Sequence, residues 1–310
     1  MKLIVFSVKG ESKIGVVEND RVFDIHAGYK AYLESQGVTR VEERANALVP
    51  NDMNGLLEGG SETLELTQKT VKFIKEAGKK SNRELIYKQN EVTLEAPVQH
   101  PSKIVCVGHN YREHILEMGR DIPEVPVLFA KFENAVIGPE DDIPYTPITE
   151  KLDYEAEFAF VIGKKAKNVS EEEALDYVAG YTIVNDVSAR DLQMRTLQWL
   201  QGKSLDGSAP MGPWLVTKDE VSDPDALNIS LQVNGKEKQR SNTKELVFNV
   251  NRLLSFVSGI MTLKPGDVIC TGTPGGVGAA QDPQEFLNDG DVITINVDQV
   301  GTLENTVRNV

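Results

Sequence analysis

Leu152–Gly163 reads Leu-Asp-Tyr-Glu-Ala-Glu-Phe-Ala-Phe-Val-Ile-Gly, an apolar segment that carries two glutamates at alternate positions. Alternate side chains of an extended strand share a face, so Glu155 and Glu157 point the same way with their carboxylates close together. Tyr154, Ala156, Phe158 and Phe160 take the opposite face. Ala159 and Val161 continue the glutamates' own side, which therefore reads as buried too. Two carboxylates in such a place repel each other and lose hydration, so either one keeps its proton or a cation holds both. A solvated edge strand with two surface glutamates fits the same letters, because charged residues are mostly exposed.

The neighbouring text is strand-like as well. Ile104–Val107, Val127–Phe129, Tyr181–Val184, Trp214–Val216, Ile229–Val233, Val268–Thr271 and Val292–Val297 read as extended. Asn234-Gly235 is a hairpin turn, and Lys264-Pro265-Gly266-Asp267 is another turn before a strand. Ser170-Glu171-Glu172-Glu173 has the form of a capping box and predicts a helix to about Val178, stopped by Gly180. Ala189–Trp199 and Leu246–Ser258 are the other helix candidates. Strands outnumbering helices without βαβ alternation predict a β-rich α+β fold.

Residues 1–97 read as a small N-terminal α+β domain. Leu3–Val8, Ile14–Glu18 and Val22–Ile25 form a meander, broken by Lys9-Gly10 and Asn19-Asp20. Ser61 then caps a helix in which Leu64, Val71, Ile74 and Ala77 recur at helical spacing, ending near Gly78-Lys79-Lys80. The polar stretch 81–92 and Pro97-Val98-Gln99-His100-Pro101 mark a boundary, leaving residues 98–310 as the catalytic candidate.

Composition excludes several functions. The 310 residues carry 33 Lys plus Arg against 47 Asp plus Glu, a net charge of -14, which is the wrong sign for gripping nucleic acid or an anionic membrane. With 40% hydrophobic residues and only 2 cysteines, neither a disordered chain nor a disulfide-stapled domain is expected. Cys106 and Cys270 form no CxxC pair and read as small buried apolar residues of a cytoplasmic protein. The apolar start MKLIVFSV is too short for a signal peptide, and no run approaches the ~20 residues of a membrane span.

Asp186 is a third acid, placed where the apolar run Tyr181–Val184 gives way to a polar turn. Three carboxylates without thiolates or paired histidines make an oxygen-only site, suited to Mg2+ or Mn2+. In Gly108-His109-Asn110-Tyr111-Arg112-Glu113-His114-Ile115-Leu116-Glu117 the histidines are five apart, which fails the spacing of four that a helical zinc site needs. His114 and Glu117, three apart, share a helix face, and a carboxylate so placed fixes the imidazole tautomer and raises its basicity. An ordinary surface pair has the same spacing. Lys131 and Lys203 stand alone in apolar settings and read as surface lysines unless an anion needs them. Thr271-Gly272-Thr273-Pro274-Gly275-Gly276-Val277-Gly278 is no phosphate loop, but it can offer backbone N–H groups and the Thr273 hydroxyl to a carboxylate.

In this order, Gly108-x-Asn110-Tyr111 with His114, Glu155-x-Glu157, Asn185-Asp186-x-Ser188-Ala189-Arg190-Asp191-x-Gln193, Gly202-Lys203-Ser204 and Thr271-Gly272-Thr273-Pro274 resemble the fumarylacetoacetate hydrolase family. The likeness covers roughly Pro101 to Val297 and is nearest to bacterial, acylpyruvase-like members with a short N-terminal domain. It implies a mixed β-roll or β-sandwich catalytic domain, a homodimer, and Mg2+ or Mn2+ held by Glu155, Glu157 and Asp186. It also implies a His114–Glu117 dyad on a lid, Lys203 and Gln193 at the oxoacid end of a 2-oxo acid substrate, and Thr273 near its carboxylate. Lys131 and Arg190 match further polar residues lining the site. Phe132-Glu133-Asn134 departs from the Pro and then Ser or Thr of many relatives, which marks the distal pocket as different.

The activity ranked first is metal-dependent C–C hydrolysis of an acylpyruvate (a 2,4-dioxo acid) through pyruvate enolate, with the dyad activating water. The alternative is decarboxylation or isomerisation of oxaloacetate or another 2-oxo-diacid, as in aromatic catabolism. Hydrolysis leads because decarboxylation alone has no use for an activated water. A non-catalytic binding protein ranks last, since a scaffold need not keep buried acids together.

Overall fold

The computed structural model describes residues 1–77 and 84–310. The expected helix end near Gly78-Lys79-Lys80 and the start of the polar stretch after it lie outside the described residues. Among the described residues, a 12-stranded sheet has the path Ile86–Lys88, Arg21–Asp24, Glu11–Glu18, Lys2–Val8, Ala209–Thr217, Val178–Asn185, Ala156–Ile162, Val268–Cys270, Ile104–Gly108 and Val127–Lys131, with Thr93–Glu95 added beside Lys2–Val8 and Val136–Ile137 beside Ala209–Thr217. A 5-stranded sheet is built from Lys236–Asn242, Asn228–Val233, Val292–Val297, Gly301–Asn309 and Ile143–Tyr145. The fold is β-rich α+β, as the strand pattern predicts. No helix among the described residues is long and apolar enough to cross a membrane.

Local chemistry explains the hairpins. Lys9 and Gly10, Asn19 and Asp20, and Asn234 and Gly235 all have positive φ, the conformation that a two-residue hairpin turn needs to match strand twist. The strand Ala156–Ile162 is buried throughout. Phe158, Phe160 and Ile162 face a core shared with the 5-stranded sheet and the helix Val250–Ile260. Ala159 and Val161 face a second core with Leu3, Val5, Ile14 and Val16 from the first twenty residues. Polypeptide and sheet divide differently at residue 97: Lys2–Val8 pairs directly with Ala209–Thr217, so the N-terminal strands extend the sheet that carries the acids.

Two helix expectations are corrected. Ser170 does donate to Glu173, but only a short 3-10 turn, Ala174–Tyr177, follows, and the strand Val178–Asn185 runs straight through Gly180. Long-range pairing overrides the local cap here. A Cβ on Gly180 would lie 2.1 Å from the Val216 carbonyl oxygen on the neighbouring strand, so this glycine marks a close approach of two backbones. Gly180→Ala should cost about 3 kcal/mol through overpacking, measured as a lower denaturant midpoint; an unchanged midpoint would mean that the strands do not pack this closely. Ala189–Trp199 is likewise not one helix but the short turns Arg190–Gln193 and, further on, Leu200–Lys203.

Candidate active site

Antiparallel register builds the acidic cluster. Ala156 pairs with Asn185 and Glu157 with Val184, so the start of one strand meets the end of the next. Asp186 N–H donates to the Glu155 carbonyl at 2.9 Å, and Glu155 N–H donates to Asn185 Oδ1 at 3.1 Å. One carboxylate oxygen from each of Glu155, Glu157 and Asp186 lies within 4.8 Å of the others, all three residues buried. Hard oxygen donors at that spacing fit a divalent cation that keeps coordination places for water or substrate.

What the sequence hid is how the cluster is already balanced. Lys203 Nζ donates to Glu155 Oε2 at 2.8 Å and to Asp186 Oδ2 at 2.7 Å. Lys131 Nζ donates to Asp186 Oδ1 at 2.8 Å and to the Val187 carbonyl at 3.1 Å. Arg190 reaches Asp153 through Nε at 2.8 Å, and Glu155 and Gln193 through Nη1 at 2.7 Å and 3.0 Å. Among the described residues, four buried carboxylates of this cluster, counting Asp153, therefore meet three buried cations, and Glu157 is the acid with no cation of its own.

The carboxyl groups diverge accordingly. Burial would push Glu155 up, but Lys203 and Arg190 outweigh it and hold the group well below the usual carboxylate range. Burial, with Asp186, Cys106 and Glu155 nearby, pushes Glu157 well above that range, opposed by the Gly272 N–H that donates to its Oε2 at 2.7 Å. A cation bound here would take the place of the proton that Glu157 otherwise favours. Cys106 and Cys270 are register partners on parallel strands beside this cluster, both buried.

The helix Arg112–Glu117 brings His114 and Glu117 together, with His114 Nδ1 and Glu117 Oε1 2.7 Å apart. Glu117 Oε2 accepts from Gly276 N–H at 2.8 Å, so the glycine-rich turn anchors the dyad from behind. The same turn donates from Gly278 and Ala279 to Asp153, at 2.8 Å and 2.9 Å. Thr273 Oγ1 accepts from Gln239 Nε2 at 2.8 Å, which leaves its hydroxyl proton for a ligand.

A cavity of about 330 Å³ is lined by His109, His114, Glu155, Glu157, Arg190, Gln193, Trp199, Lys203 and Thr273, among others. Lys131, Glu117 and Asp186 are set back from its wall; Lys131 holds Asp186 and does not face this space. Asp153, Gln239, His109 and Trp199 carried no recognisable site motif. Trp199 seats itself against Gly108, where a Cβ would come 2.5 Å from its ring, and meets the Phe129 ring edge-on at 5.4 Å. A glycine before His109 was the available hint of that close approach.

Residues 103–308 match the family model described as fumarylacetoacetate (FAA) hydrolase, C-terminal. The chain is 45% identical over 261 residues to oxaloacetate tautomerase fahd2, mitochondrial, of Xenopus laevis, covering 84% of this chain and 79% of that protein. It is 46% identical over 239 residues to oxaloacetate tautomerase YisK of Bacillus subtilis (strain 168), covering 75% and 79%. Among solved structures, maleylpyruvate hydrolase from Sphingobium sp. SYK-6 in complex with manganese(II) ion and pyruvate matches with TM-score 0.75 and 29% identity, over 100% of this chain and 99% of that one. With a family match across the segment that holds the acids, the dyad and the cavity, and relatives well above 40% identity, the chain belongs to the fumarylacetoacetate hydrolase family of enzymes.

Proposed function

We propose that the protein is a divalent-cation-dependent tautomerase of oxaloacetate-class 2-oxo-diacids, moving a proton between C3 and the 2-oxygen. The observation that carries this reading is one cavity lined by the His114 side chain, two of the three acids and Arg190, a guanidinium whose enclosed Nη2 has no partner among the described residues. A substrate carboxylate in the cavity is the natural counter-charge for that guanidinium. Arg120 and Lys151 also line the cavity, so a dianion finds further positive charge there. The tautomerase relatives support the same choice.

Mg2+ or Mn2+ held by Glu155, Glu157 and Asp186 would supply the positive charge that acidifies the C3 protons of a chelated 2-oxo acid. His114, its Nδ1–H given to Glu117, presents a basic Nε2 that takes the C3 proton. Arg190 and Thr273 orient the first carboxylate, and Lys203 keeps Glu155 ionised while bridging it to Asp186. Delivery of that proton from His114 Nε2 to the 2-oxygen completes keto–enol exchange and returns the imidazole to its starting form. C–C hydrolysis of an acylpyruvate is the second reading, favoured by the same dyad, which is equally built to activate water.

The deciding assay follows oxaloacetate keto–enol exchange with Mg2+ or Mn2+, against protein-free controls, and scores pyruvate and CO2 separately on oxaloacetate and on an acylpyruvate. Acceleration of exchange without pyruvate release is expected. Acylpyruvate cleavage without accelerated exchange would replace this reading with the hydrolytic one, and CO2 release would replace it with decarboxylation.

A further inference from the structure

His109 lines the cavity but has no part in the proton transfer described above. It is a non-glycine residue at φ 53, a left-handed backbone conformation that costs free energy and turns its side chain toward the cavity. Its ring stacks on that of His114, with centroids 6.2 Å apart and 21° between planes, and meets Trp199 edge-on at 5.3 Å. Nδ1 is enclosed without a hydrogen-bond partner. Nε2 likewise makes no hydrogen bond among the described residues but is not enclosed, and the residue that carries it lines the cavity.

The tautomer follows from that asymmetry. An enclosed N–H without an acceptor is worse than an enclosed lone pair without a donor, so the proton belongs on Nε2. His109 thus presents a fixed, neutral N–H donor to the cavity, beside the residue that moves the proton.

We propose that His109 hydrogen-bonds the distal carboxylate of a 2-oxo-diacid and makes the site select diacids over the corresponding monoacids. The placement of substrate in this inference rests on the tautomerase reading. If His114 takes the C3 proton, C3 lies against the His114 ring, and the carboxylate one bond further falls to the ring stacked beside it. Arg120, on the same cavity and without an ion pair among the described residues, adds long-range attraction for that carboxylate.

The test compares oxaloacetate with its 4-methyl ester, which keeps the 2-oxo acid and lacks the second charge. His109→Asn tolerates the left-handed backbone but is too short to reach, whereas His109→Gln restores a donor near the position of Nε2. Losing one hydrogen bond to a charged group should lower the oxaloacetate-to-ester ratio of kcat/KM by about tenfold in the Asn variant, through KM. The ester should change less than about twofold, and the Gln variant should recover about threefold of the loss. Equal losses on both substrates, no loss on either, or a Gln variant no better than Asn would overturn the proposal.

Equilibrium binding of oxaloacetate and pyruvate to the Mn2+-loaded protein separates this inference from the reaction itself. Absent turnover with a His109-dependent preference for oxaloacetate would overturn the tautomerase reading and keep the diacid site. Normal turnover with the same preference in wild type and His109→Asn would do the reverse.

Discussion

Asp186→Asn is expected to lower turnover at least about a thousandfold and to abolish stabilisation by Mg2+ or Mn2+. Each Asp186 oxygen is held by a different buried lysine, Oδ1 by Lys131 at 2.8 Å and Oδ2 by Lys203 at 2.7 Å. An amide keeps the shape but removes the charge and turns an N–H toward an ammonium. The loss of about 4 kcal/mol of charge stabilisation at the reacting oxygens corresponds to that rate factor. Leaving two buried lysines short of a counter-charge also costs about 3–5 kcal/mol of stability. The diagnostic measurement is the shift in Tm with added metal, which for wild type corresponds to about 2.7 kcal/mol at a hundredfold excess over Kd. Glu157→Gln is the companion variant. Glu157 has no cation partner among the described residues, and a glutamine oxygen can still accept from Gly272 N–H, so this protein should fold well yet lose the metal-dependent shift. A full metal-dependent shift in both variants would show that the ligand assignment is wrong.

His114→Gln should lower kcat by a factor of about 100 to 10,000, the usual worth of a positioned acid–base group. The metal-dependent Tm shift should stay intact, because His114 is not one of the three acids. Glu117→Gln keeps an oxygen for the Gly276 N–H but weakens the hold on His114 Nδ1, and a loss of about tenfold is expected. The two variants thus separate proton transfer from cation binding. Unchanged kcat in His114→Gln would remove the dyad from the reaction whatever the substrate.

Much of the fold was legible because strand alternation and hairpin turns are local. The alternation at 155 and 157, the turns Lys9-Gly10 and Asn234-Gly235, and the three-residue step from His114 to Glu117 all appear where residue periodicity puts them. Ser170–Glu173 shows the limit of the same logic. The side-chain contact forms, but pairing with Ala156–Ile162 claims the backbone from Val178 onward, and a strand replaces the helix.

By itself the sequence determined which oxygen donors share a strand face, which imidazole has a carboxylate one turn away, and that strands dominate. These follow from the spacing of near neighbours along one chain. Only the tertiary structure decided that Lys131, Arg190 and Lys203 are buried against the acids, that Glu157 has no cation partner among the described residues, and that His109 lines the cavity beside His114. Those outcomes depend on long-range charge balance and on how closely distant backbones pack, and neither has a period that can be read along the chain.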